Sequence, residues 1–282
     1  MTVYPFIVHL GPLEVTGYGL MLMVAFLMGG WLIARQLRER DLREDYAADI
    51  VAAAVIGGIV GAKLWYVALT RDPGALFSRG GLVWYGGFIG GALAVILNGW
   101  RLRVPLRWTM HLTAPALAAA YALGRVGCFL VNDDYGGPSS LPWAVKFPNG
   151  SPPSTAANLH GFGMSVPAGI DPSTVLSVHP TQLYEVAAML VVFAILWVLR
   201  NKGRPIGWLF GAYLVFAGIE RFLVEILRAK DDRLLGPFTI AQATSVLLVL
   251  IGIGLMIAWR RGESPLPGSY LETGRRRGVS KT

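Results

Sequence analysis

The residues most able to do chemistry are arginines set in apolar sequence. Arg125 lies in the stretch Gly-Arg-Val-Gly-Cys-Phe-Leu-Val-Asn-Asp-Asp-Tyr-Gly, residues 124–136, which closes the apolar run 108–122. Holding a guanidinium at the end of an apolar helix or just inside the bilayer costs on the order of a few kcal/mol on insertion scales, so the position calls for an anionic partner. The stretch turns polar at Asn132, Asp133 and Asp134, and Gly124, Gly127 and Gly136 allow backbone or ligand to come close. It reads as the floor of a site open to one membrane surface. Arg221, Glu225 and Arg228 follow at i, i+4 and i+7, a spacing that puts them on one helix face. A buried Arg221–Glu225 pair could be purely structural. Taken with Arg125, these residues leave a cationic excess suited to a phosphate, whose oxygens a guanidinium binds bidentately at any relevant pH.

A second group is His179-Pro-Thr-Gln-Leu-Tyr-Glu, where a long polar loop enters an apolar segment. Thr181 is placed to cap the helix, but capping does not require His179, Gln182, Tyr184 and Glu185 together. His179 titrates near neutrality and is a candidate base. Tyr18 opens the first apolar segment, and Trp84 with Tyr85 opens the third. Such aromatics commonly anchor at interfaces, whereas Tyr85 followed by Gly86 and Gly87 also offers a hydroxyl beside bare backbone for a lipid headgroup. Lys63 is expected to snorkel or to pair with an acid, and Cys128 to be a packed small residue. No Ser-His-Asp order, phosphate-binding glycine loop or metal-ligand cluster is apparent.

The elements that must position these residues are membrane helices. The 282 residues are 54% hydrophobic and only 15% charged, with a mean hydropathy of +0.52, which excludes an ordinary soluble domain. Seven segments, at about 18–34, 46–69, 82–100, 108–130, 183–199, 206–226 and 238–259, have the length and apolarity of spanning helices. The third is the least regular because of Gly86, Gly87, Gly90 and Gly91, which with Gly57, Gly58 and Gly61 of the second suit close helix packing. The expected class is therefore all-α, a single polytopic membrane domain over 1–282. Arginines and lysines crowd the loops after the first, third, fifth and seventh segments, including Arg35, Arg38, Arg101, Arg103, Arg200, Lys202 and Arg260. Those loops are expected on the cytoplasmic side, with the N-terminus outside and the C-terminus inside. Most of the net charge of +8 is then topological, and no nucleic-acid partner is expected. The one long loop, 131–181, should form a small irregular extracytoplasmic head, with a short hairpin around 143–150. The tail, 263–282, is expected to be disordered and to touch anionic lipid.

Assembled in this order, Tyr18-Gly19-Leu20-Met21, Tyr85-Gly86-Gly87, the 124–136 stretch, His179 to Glu185 and Arg221 to Glu225 resemble the prolipoprotein diacylglyceryl transferase family over nearly the whole chain. The resemblance implies a bacterial inner-membrane enzyme that moves the sn-1,2-diacylglyceryl group of phosphatidylglycerol to the lipobox cysteine thiol of a preprolipoprotein and releases glycerol phosphate, with no metal or soluble cofactor implied. It makes Arg125 and Arg221 the essential arginines. Tyr18, Asp133, Gly136 and Glu225 match other functional positions, and Gly86 and Gln182 join the lipid-binding set. Two departures stand out: Cys128 where some members have Asn, and Tyr85 where others have a His proposed as base. The general base is thereby left open among Tyr85, His179 and Asp133, with Tyr85 read as a phosphate contact. The alternatives are a non-catalytic lipid or peptide carrier on the same scaffold, or a transporter of an anionic solute, the latter opposed by the absence of an internal repeat.

Overall fold

The computed structural model describes residues 1–11, 13–77, 83–230, 233–235, 238–260 and 264–272. Among these are eight helices: α1 (Gly17–Arg38), α2 (Asp45–Thr70), α3 (Trp84–Arg101), α4 (Leu106–Val131), α5 (Ala156–Gly161), α6 (Thr181–Leu199), α7 (Trp208–Glu225) and α8 (Ile240–Ala258). Local chemistry sets their ends. Thr16 accepts a hydrogen bond from the Gly19 amide at the start of α1, and Thr239 and Gln242 form a capping box at the start of α8. At the far end of α4, Asn132 takes the left-handed conformation (φ 61°) and stops the helix.

Five helices, α1, α2, α4, α6 and α8, are long and apolar enough to cross a membrane. The other two long ones, α3 and α7, have 18 residues each. Glycines dilute the apolar character of α3, and Glu220, Arg221 and Glu225 that of α7. Helix α4 is central, packing against α1, α6 and α7 and touching α3, while α2–α3 and α7–α8 form tight pairs. Small residues make those pairs possible. A Cβ added at Gly57 would lie 2.6 Å from the Gly90 carbonyl oxygen, and one at Gly211 would lie 2.7 Å from that of Gly252. Large apolar side chains such as Leu69, Leu250 and Ile257 point outward, forming a belt suited to lipid.

Two expectations are corrected, and one element was not foreseen. Residues 143–150 form no hairpin of their own: Val145 pairs with Val178, and Lys146 bridges to Thr2. The head core gathers Tyr135, Val145, Phe147, Leu159 and Val178 instead, because segments distant in sequence supply its apolar faces. An unforeseen antiparallel hairpin, β1 (Ile7–Leu10) with β2 (Leu13–Thr16), precedes α1. Within the segment expected to be disordered, 264–272 docks on the bundle: Leu271 is fully buried and Trp108 Nε1 donates to the Pro265 carbonyl at 2.8 Å. Burial of Leu271 beside Tyr46 and Trp108 gives this stretch an apolar reason to order. Residues 273–282 lie outside the described residues.

Candidate active site

The site forms where α4, α6 and α7 end against the head. Residues 131–134 turn sharply, because Asn132 and Asp134 both adopt positive φ, at 61° and 58°. Asn and Asp tolerate this region better than most residues. Asn132 is fully buried and its side chain donates to the Val3 carbonyl at 2.9 Å. Gln182 Nε2 donates to the Asp133 carbonyl at 2.5 Å and Thr181 Oγ1 to the Asp134 carbonyl at 2.9 Å. Thr181 is thus the first residue of α6, not its cap, and its hydroxyl holds the turn. The turn brings the Asp134 carboxylate back over the helix that precedes it.

The outcome is an alternating row of charges. Glu185 Oε2 lies 3.0 Å from Arg125 Nε. Arg125 Nη1 reaches Asp134 Oδ2 at 2.9 Å. The other Asp134 oxygen meets Arg228 Nη2 at 2.5 Å. Arg228 Nε approaches Glu225 Oε2 at 3.8 Å, and that same oxygen meets Arg221 Nη2 at 2.6 Å. Arginines remote in sequence therefore share one network. Its three guanidiniums face three carboxylates, so the cationic excess expected from sequence is absent, because folding adds Glu185 and Asp134 to the count. Helix α7 ends at Glu225, so Arg228 does not extend its face. Arg228 is placed by its bridge to Gly136.

Gly136 is the joint of the assembly. Its amide donates to the His179 carbonyl at 2.8 Å, and the neighbouring Gly137 amide donates to Leu227 at 2.8 Å. A Cβ at Gly136 would stand 2.6 Å from the Leu227 carbonyl oxygen and 2.8 Å from the side chains of His179 and Thr181. Only a bare Cα lets those three segments meet.

With the network from α4, α6 and α7 in view, comparison with known proteins decides the family. The sequence matches the profile described as Prolipoprotein diacylglyceryl transferase over residues 5–258. The chain belongs to the prolipoprotein diacylglyceryl transferase family. Proteins named phosphatidylglycerol–prolipoprotein diacylglyceryl transferase are similar to it. That of Pseudomonas putida is 32% identical over 277 residues, covering 93% of this chain and 95% of the relative. That of Clostridium tetani is 31% identical over 256 residues (88% and 95%), and that of Trichormus variabilis 32% over 277 residues (93% and 92%).

Of the site residues read from the sequence of this family member, Arg125, Arg221, Glu225, Asp133, Gln182 and Gly136 gather here. Tyr18, on the first turn of α1, packs its Cα and ring against Gly127 and interacts electrostatically with Asp133 and Arg125. His179 contributes backbone, while its Nδ1 faces the Tyr184 hydroxyl at 3.3 Å; Tyr184 in turn accepts from Trp143 Nε1 at 2.8 Å. Tyr85 stands apart. It is 60% exposed and meets Trp84 edge-on, while Gly86 is pressed against Gly61 and Trp65 of α2.

Cys128, Asp133 and Asp134 bring one sulfur and two carboxylate oxygens within 4.8 Å of one another. A divalent cation there would compete with the two guanidiniums already on Asp134. Asp133, beyond the end of α4, is pushed up to about 6 by burial and by the adjacent Asp134 charge. It is thus ionised at neutral pH and still basic enough to take a proton. Asp134 is held below the usual carboxylate range by Arg228 and Arg125, which overcome its burial.

Sequence reading missed the bridging role of Asp134 and passed over Tyr121 and Glu220. Tyr121 Oη donates to Glu185 Oε1 at 3.1 Å and lies under the Arg125 guanidinium, 5.4 Å from its carbon. The available signals were Tyr121 one turn before Arg125, and an acid beside Arg221 inside an apolar segment.

Proposed function

We propose that this chain transfers the sn-1,2-diacylglyceryl group of phosphatidylglycerol to the lipobox cysteine thiol of preprolipoproteins, forming a thioether and releasing glycerol phosphate. It would do so from a bacterial inner membrane, with seven spans, the N-terminus and the 131–181 head outside and the C-terminus in the cytoplasm. The helices α3 and α7 complete the seven, and the arginine-rich loops at one end support the orientation. The single observation that carries the reading is the alternating row from Glu185 through Arg125, Asp134, Arg228 and Glu225 to Arg221, inside a member of this family.

In this reading Arg125 and Arg221 hold the lipid phosphate and stabilise the charge that builds on it as the glyceryl carbon–oxygen bond breaks, an electrostatic role that is often the largest in catalysis. Their present carboxylate partners keep the guanidiniums in place until a phosphate takes up the same donors. The lipobox thiol attacks the glyceryl carbon, and its proton passes to a base. A reference thiol titrates near about 8.5, so attack at neutral pH requires that help. Asp133 is assigned as base because it is ionised above about pH 6 and lies beside Arg125 and Tyr18. His179, turned towards Tyr184, supports the head, and Tyr85, with Gly86 behind it, contacts lipid at the rim. Gln182 and Gly136 fix the turn; Tyr18 borders the lipid phosphate.

The test uses purified full-length protein, phosphatidylglycerol and a peptide bearing a lipobox cysteine, read by mass spectrometry. A diacylglyceryl mass gain on the thiol, lost in Arg125→Ala and Arg221→Ala, is expected. Lipid or peptide binding without a mass gain would make the protein a carrier, and anion flux across vesicles without peptide would make it a transporter.

A further inference from the structure

Helix α1 keeps one stripe of large apolar side chains turned outward. Val24, Leu27, Met28 and Trp31 stand on it at i, i+3, i+4 and i+7, and together they line an apolar groove of about 340 Å³. Leu27 and Trp31 are 66% and 53% exposed. The groove ends where the Arg35 guanidinium covers both Trp31 and Trp197, 5.6 and 5.4 Å from the ring centres. In the other direction α1 runs into the site. A Cβ on Gly127 would meet Met21 Cβ and Tyr18 Cα at 3.2 Å, and Gly127 is two residues from Arg125. Val24 follows Met21 within one turn, so the groove is continuous with the wall of the site.

Lipid accepts any outward apolar surface, and α2 and α8 offer it Ile56, Leu64, Leu247 and Leu250. Two features set α1 apart. It holds three of the eight methionines, Met21, Met23 and Met28, and the last two are exposed. Unbranched, polarizable side chains suit a surface that must fit partners of differing sequence, which lipid contact does not require. The second feature is length. Measured from Tyr18, the groove covers about 9 to 20 Å along the helix axis, at about 1.5 Å per residue. The apolar stretch of a secretory signal, about 7–15 residues, is about 10–22 Å long as a helix. A preprolipoprotein whose cysteine thiol is held beside Arg125 therefore has an apolar stretch of the right length to lie in the groove.

We infer that this stripe of α1 docks the apolar signal stretch of the preprolipoprotein as a helix antiparallel to α1, in the manner of a helix laid into a groove through i, i+3, i+4 and i+7 contacts. This rests on the reading of the arginine row as the transfer centre. Lipid tails are as apolar as the peptide, so packing against the groove, not hydrophobicity, supplies the preference. No bond forms or breaks on docking.

The experiment uses full-length protein in phosphatidylglycerol nanodiscs and a synthetic peptide comprising a signal stretch and a lipobox cysteine. Photoreactive benzoylphenylalanine replaces Met28 or, as a control on α8, Leu250. Irradiation should give a protein–peptide adduct from position 28 and none from position 250. Val24→Trp, which fills the groove, should raise KM for the peptide about tenfold, the low end for an obstructed apolar pocket, and leave KM for phosphatidylglycerol unchanged. Leu250→Trp should change neither. Adducts from position 28 with lipid or a second copy of the chain in place of peptide, equal peptide adducts from both positions, or a wild-type peptide KM in folded Val24→Trp would each overturn the inference. Should Val24→Trp fail to fold, the adducts decide. Cross-linking reads docking without transfer: a position-28 peptide adduct with no diacylglyceryl mass gain on the thiol would sink the transferase reading alone, and a mass gain with no such adduct would sink the groove alone.

Discussion

Two groups of arginines sit at opposite ends of α4, and the balance of their partners differs: backbone carbonyls predominate at one end, with Glu39 as the one carboxylate on Arg200, and carboxylates at the other. At the end near His111, Arg40 donates to the Gln36 carbonyl at 2.9 Å and to that of Arg200 at 3.2 Å. Arg200 donates to the Trp197 carbonyl, covers the Trp197 ring at 3.5 Å and pairs with Glu39 at 2.9 Å. Arg107 donates to the Ile206 carbonyl at 3.0 Å. These guanidiniums cap the last carbonyls of α1 and α6 and tie loops together. At the other end, Arg125, Arg221 and Arg228 pair with carboxylates. A backbone carbonyl is fixed and cannot be displaced without breaking the fold. A carboxylate is an anion that a phosphate can replace. The difference teaches that the partner, more than the burial or the arginine itself, separates a structural cluster from one able to bind substrate.

The comparison can be broken by mutation. The largest expected effect is at the phosphate: Arg125→Ala and Arg221→Ala should each lower lipidation by about 10³-fold, the scale of losing a preorganised donor, as measured by the rate of diacylglyceryl mass gain. Asp133→Asn should cost about 10²-fold at neutral pH if it takes the thiol proton. It should also change the pH profile. Because the Asp133 carboxyl is raised to about 6, its basic form is present above that pH and lost below it. The wild-type rate should therefore fall through an acid limb centred near 6, and Asp133→Asn should lack that limb. Gly136→Ala should destabilise the head by about 1–3 kcal/mol through overpacking, visible as a lower thermal midpoint together with reduced turnover, since Arg228 and Thr181 are displaced. Smallest on chemistry is Arg40→Ala, which should lower the thermal midpoint and leave kcat of the folded protein unchanged. If Arg40→Ala reduced kcat as strongly as Arg125→Ala, the distinction between the clusters would fail.

Much of the scaffold was legible. The apolar segment 18–34 became α1 and 238–259 became α8 with boundaries nearly as read, because the apolar length of a helix is a local property. The glycines of α2 and α3 were equally visible as close-packing surfaces, since close approach demands small residues, but that the two helices pair with each other came from the structure. The head was not legible. Val145 had no local signal naming Val178 as its partner, and the docked stretch around Leu271 looked like any polar tail until Tyr46 and Trp108 supplied an apolar seat.

The sequence alone determined that this is a multi-helix membrane protein, that Arg125 and Arg221 stand where a charge is costly, and that the chain resembles a lipid-modifying transferase family. The first two follow from side-chain type and apolar run length and the third from motifs matched in order, none of which needs knowledge of contacts. Only the tertiary structure decided that Asp134 links Arg125 to Arg228 and that Glu185 joins them. Such pairings join residues up to 94 positions apart, and short-range electrostatics and hydrogen bonds depend on distances that spacing along the chain does not encode.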